Sequence, residues 1–84
     1  MKLTIIPADK IIGIDGVFKH VESMPSSTTA VHAVQWYGSY GEVEYKTQFI
    51  GGKIVKPVNE VITSLDAYQW AIDEWGADSA EQEE

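Results

Sequence analysis

Residues 42–49 read EVEYKTQF, and their alternation constrains the fold more than any other feature of the chain. Val43, Tyr45, Thr47 and Phe49 point one way, while Glu42, Glu44, Lys46 and Gln48 point to water. A period of two is the mark of a strand with one wet face, because successive side chains of an extended backbone leave on opposite sides. Such a strand needs paired neighbours and a cover for its apolar face before it is stable.

The neighbours are legible upstream. In AVHAVQWYG, alternation places Ala30, His32, Val34 and Trp36 on one face and Val31, Ala33, Gln35 and Tyr37 on the other. Both faces are largely apolar, which suits a central strand. GSYG joins the two runs, with Gly38 and Gly41 supplying the permissive backbone of a tight connection. Residues 32–45 thus read as a β-hairpin holding four of the nine large aromatics, Trp36, Tyr37, Tyr40 and Tyr45. Cross-strand pairs of this kind contribute about 0.2–1 kcal/mol each. KLTIIP is a short β-type run ended by Pro7. Asp15-Gly16 sits between two β-rich runs and predicts a type I′ turn joining strands at about 10–14 and 17–21. SMPSSTT, residues 23–29, is a loop. Residues 51–62 open with a flexible Gly pair, and Pro57 disfavours a long strand, so Ile54-Val55 adds at most a short edge piece.

The cover is the last element. Leu65, Tyr68, Ile72 and Trp75 recur at spacings of three, four and three, the stripe of an amphipathic helix over about 65–75. Thr63 or Ser64 caps its start and Gly76 its end, and Trp70 falls at the border of the stripe. The predicted fold class is therefore α+β: a small antiparallel β-meander of about four strands with one C-terminal α-helix packed on one face. The predicted core is Leu3, Ile5, Ile12, Ile14, Val34, Trp36, Val43, Tyr45, Leu65, Tyr68, Ile72 and Trp75. Residues 1–76 form one domain, and 77–84, ADSAEQEE, an acidic disordered tail.

Composition narrows the function classes. An 84-residue chain is one domain, and one of this size buries only about 60–65% of its unfolded surface. Without cysteine it has no disulfide or thiolate metal site to reinforce it. Residues 1–64 balance six acids against six lysines, whereas residues 65–84 hold seven acids and no base. The net charge of −7 thus sits at the C-terminal end, where it serves solubility or docking to a basic partner. There is no arginine and no lysine cluster, which disfavours nucleic acid. No run approaches the roughly 20 apolar residues of a membrane helix, and the N-terminus has no signal-peptide pattern, so a cytoplasmic protein is expected.

No catalytic, cofactor or metal site is predicted. His20 and His32 lack metal-ligand spacing and read as ordinary strand histidines. Glu42 and Glu44 share a strand face, which a solvated surface explains better than paired acid–base work. No serine pairs with a base, and GSYG lacks the helix and lysine of a phosphate loop. Binding is the better reading, because Trp36, Tyr37, Tyr40 and Trp70 exceed what so small a core easily encloses. These four are the predicted protein-interface residues.

The motifs KLTIIPADK, IDGV, VHAVQWYGSYGEVEY, KPVNEVITSL and AYQWAIDEW, taken in order, resemble a group of small, mostly uncharacterised proteins of tailed bacteriophages and prophages. The likeness covers nearly the whole chain except the 23–29 loop and the acidic end. Genes of that group commonly lie among tail or tail-fibre genes. The resemblance therefore implies a tail-associated structural or chaperone-like fibre-assembly factor, with no catalytic or binding residues to transfer. Its expected partner is another virion or assembly protein, with homo-oligomerisation left open, and its expected place is the host cytoplasm when made, with retention in the virion left open. Two alternatives stand beside it: a small acidic inhibitor that mimics nucleic acid through residues 65–84, and a carbohydrate-binding module using the aromatics.

Overall fold

The computed structural model describes residues 1–82, with side chains described through residue 77. The fold is α+β, with antiparallel sheet and one C-terminal helix. The strands are β1 (Leu3–Ile6), β2 (Ile11–Ile14), β3 (Val17–His20), β4 (Val31–Trp36), β5 (Gly41–Tyr45), β6 (Gln48–Ile50), β7 (Lys53–Val55) and β8 (Glu60–Ile62), and the helix is α1 (Gln69–Gln82). Six strands form the main sheet in the order β3-β2-β1-β4-β5-β8, and β6 and β7 make a separate two-stranded sheet.

Eight strands replace the expected four or so, and the sheet is not a simple meander. The chain runs through β1, β2 and β3 to one edge, then crosses back so that β4 pairs with β1 on its other side. The run 42–49, expected as one strand, breaks after Tyr45. Its second half becomes β6, and Phe49 ends 75% exposed rather than in line with Val43.

The registers align Leu3 with Ile14 and Trp36, Ile5 with Ile12 and Val34, and Val34 with Val43. All seven side chains therefore share one face, and all are buried. The expected alternation of β4 fails near its start, where Val31 pairs with Tyr45 but Ala33 with Glu44. This bulge takes up one extra residue. It returns Val31 to the core face and leaves His32 exposed, instead of aligning His32 with Val34 and Trp36. At the other end of β4, a Cβ on Gly41 would lie 2.4 Å from the Gln35 carbonyl oxygen and 2.9 Å from the Trp36 ring. Gly41 is thus required by close approach. The turn's positive backbone angle falls on Gly38, at φ +114°.

α1 covers this face. Ala71 is buried, and Leu65, Tyr68, Trp70, Ile72 and Trp75 pack half-buried against the core. A 3-10 turn over Asp66–Tyr68 precedes the helix, with the Ser64 hydroxyl accepting from the Asp66 N–H at 3.1 Å. The helix therefore starts later than expected, and it runs through Gly76, which caps nothing. Side chains from residue 78 on lie outside the described residues, and with them most of the expected tail over 77–84. Trp75 fastens the helix to the sheet: its indole N–H donates to the Val17 carbonyl at 3.0 Å, and the Lys19 ammonium lies 3.7 Å from its ring centre. These contacts lie on edge strand β3 and cover part of an edge otherwise open to pairing.

Candidate functional site

Between β5 and β8 the chain leaves the main sheet as an arm. Gly51 and Gly52 adopt φ of +58° and +80°, the two positive angles of a type I′ turn, and close β6 on β7. Gln48 pairs with Val55, Phe49 with Ile54, and Ile50 with Lys53. Phe49 and Ile54 thus stand together on one side of the ribbon, each 75% exposed, while Ile50 and Val55 are exposed on the other. Val58, on the return path, is 90% exposed. A two-stranded ribbon with no core of its own is marginal in water. Large apolar side chains gathered in one exposed place are the usual mark of a contact surface.

The root of the arm is tied. Tyr45, the last residue of β5, donates its hydroxyl to Oε1 of Glu60, the first residue of β8. The hydrogen bond, then desolvation, then the carboxylate charge push the Tyr45 hydroxyl up to about 12. The Tyr68 hydroxyl is raised as well, by burial first and by Glu60 second. Beside the root lies an open groove of about 500 Å³ lined by His32, Glu44, Tyr45, Lys46, Thr47 and Lys56.

The four predicted interface residues separate into two pairs. Trp36 lies in the core and Trp70 half-buried against it. Tyr37 and Tyr40 remain on the surface at the β4–β5 turn, with ring centres 5.2 Å apart and planes tilted by 48°. The Tyr37 N–H donates to the Tyr40 carbonyl at 2.8 Å, and the Tyr37 hydroxyl to Oε2 of Glu42 at 3.4 Å. Desolvation and the Glu42 carboxylate raise the Tyr37 hydroxyl above its ordinary value. On the sheet face opposite the helix, Phe18 lies over Gly13, where a Cβ would meet its ring at 2.5 Å, and Thr4 donates to Oε1 of Gln35 at 2.9 Å.

His32 and Glu44 approach to 4.0 Å across the bulge, with both side chains well exposed. Among the described residues, no three His, Cys, Asp or Glu side chains gather as metal ligands would, and no helix is long and apolar enough to cross a membrane. The arm is the candidate contact element that sequence reasoning missed. Its signal was present in Phe49-Ile50-Gly51-Gly52-Lys53-Ile54-Val55, two β-rich runs around a Gly pair.

No family model matches the chain, and neither a curated protein nor a solved structure is significantly similar to it.

Proposed function

We propose that this chain is a non-enzymatic protein of a tailed phage, a tail-associated structural part or a chaperone-like fibre-assembly factor, that works by contact with another protein. The phage setting rests on the sequence resemblance. The mode of action rests on one observation: the β6–β7 arm projects from the sheet with Phe49, Ile50, Ile54 and Val55 exposed. Burying such side chains in a partner removes apolar area from water at about 25 cal/mol per Å². A ribbon whose strand edges are also unpaired can extend a partner's sheet through its backbone. The paired rings of Tyr37 and Tyr40 supply a second, smaller anchor.

The test is amide hydrogen exchange of the purified chain, alone and with purified tail or fibre protein from the same phage. Protection of amides 48–55 on mixing, lost in a Phe49→Ser/Ile54→Ser variant, supports the reading. Exchange over 48–55 unchanged by every tail and fibre protein refutes it.

A further inference from the structure

The arm and the outer side of the helix differ in charge, although Lys19 lies on Trp75 at the helix and Glu60 at the root of the arm. Residues 46–56 hold three of the six lysines, Lys46, Lys53 and Lys56, and no acid. The strand order puts the arm at the β5–β8 edge, whereas α1 packs across β2 and reaches β3 through Trp75. The arm thus leaves one edge of the sheet, while the helix, whose preceding turn holds Tyr68 within reach of Glu60, extends to β3 at the other edge, in a molecule 51 Å long. From residue 57 onward there is no base at all, and Asp73 and Glu74 of the helix are exposed.

Beside the helix there is also a hollow. Ser23, Met24 and Pro25 of the β3–β4 loop face Trp70 and Glu74 of α1 around a space of about 230 Å³. Met24, Pro25 and Trp70 offer apolar walls, and Glu74 sets a carboxylate at the rim. No side chain among the described residues fills the hollow. The arm offers the matching pieces, an exposed Phe49–Ile54 pair with lysines close by.

We propose that the arm of one copy docks in the Met24–Trp70–Glu74 hollow of a second copy, so that the protein associates with itself head to tail. This rests on the arm being a protein-contact element, as argued above, and names its partner. Each copy then presents one arm and one hollow that its neighbour does not use. Such a heterologous contact builds rings or open chains rather than closed two-fold dimers. Apolar insertion supplies the attraction, and opposed charge selects the orientation and makes the contact sensitive to salt.

The experiment is sedimentation velocity of the full chain over a range of concentrations, at about 50 and about 500 mM salt. The expected result is a mean mass that climbs past the dimer with concentration and drops at high salt. Phe49→Ser/Ile54→Ser, which removes the arm's apolar pair, and Glu74→Lys, which reverses the hollow's charge, each weaken association about tenfold or more. Mixed together, the two variants form a one-to-one pair that grows no further, because each still carries one intact half. Lys53→Glu guards against misfolding of the serine variant. It leaves the apolar pair in place, fails to self-associate, and associates again when mixed with Glu74→Lys, in alternating chains. A wild-type chain that stays monomeric throughout overturns the proposal, as does a dimer that Glu74→Lys leaves intact. Either outcome leaves the arm's role with other proteins to be judged by amide exchange, so the two readings fail separately.

Discussion

Tyr45 and Glu60 join the two strands from which the arm departs, and their hydrogen bond is the local link between sequence and surface. The neutral phenol is the donor, so ionising it in the folded state removes the bond and sets two negative charges together. With the folded-state value raised to about 12 from 10.0, the stabilisation is fully present below about pH 10 and is lost as pH rises through 12. Tyr68 shifts in the same direction and steepens the loss. Tyr45→Phe is expected to cost under about 1 kcal/mol near neutral pH, since the pair is exposed. It should also flatten the fall in urea midpoint between about pH 9 and about pH 11. A variant whose midpoint falls as steeply as the wild type's excludes Tyr45 as the source. Gly41 is a sharper case, because a methyl group there would meet the fixed backbone carbonyl of Gln35 at 2.4 Å and the packed Trp36 ring at 2.9 Å. Gly41→Ala should destabilise by about 1–3 kcal/mol through forced shifts in β4 and β5, read as a lower denaturation midpoint.

Among the elements, β5 carries the fold. Val43 is fully buried between β4 and β8, so Val43→Asp places a carboxylate in the apolar core. The variant is expected to be unfolded by circular dichroism and one-dimensional NMR at room temperature, and a folded spectrum would contradict the assignment of this face to the core. The same strand shows what sequence can reveal. Alternation found Val43, Asp15-Gly16 found the β2–β3 turn, and the spacing of Leu65, Tyr68, Ile72 and Trp75 found the helix that covers the sheet, because each is a local signal. The break between Tyr45 and Gln48 was not legible: the alternation runs on through Phe49, and only pairing of β5 with distant β8 shows where the main sheet stops. The β4 bulge likewise depends on its partner strand. The helix end was misplaced because glycine is tolerated inside a helix at a cost of about 1 kcal/mol, so Gly76 is a cap only if the chain turns there. For the site, residue type indicated that aromatics exceed the core but not which ones. Trp36 went inward, while the aliphatic and Phe49 surface of the arm went out.

The whole molecule is longer than its residue count requires. Its radius of gyration is 13.9 Å, against about 12 Å for a compact domain of this length. The arm contributes to this excess, since it is hydrogen-bonded within itself and not to the main sheet. β5 and β8 are already antiparallel neighbours, with Val43 opposite Glu60, and continuing that register sets Tyr45 opposite position 58. Residues 46–57 can therefore be replaced by Asn-Gly, a two-residue turn whose twist suits adjacent strands. The shortened chain should keep its melting temperature within a few degrees, because its sheet, core face and helix are untouched. Its radius of gyration by X-ray scattering should fall toward about 11 Å, the value for a compact chain of its new length. It should also remain monomeric where the full chain associates. A shortened chain that unfolds would mean that the arm supports the core. One that folds but keeps the full self-association would place the contact elsewhere on the surface, with the Tyr37–Tyr40 turn the next region to test.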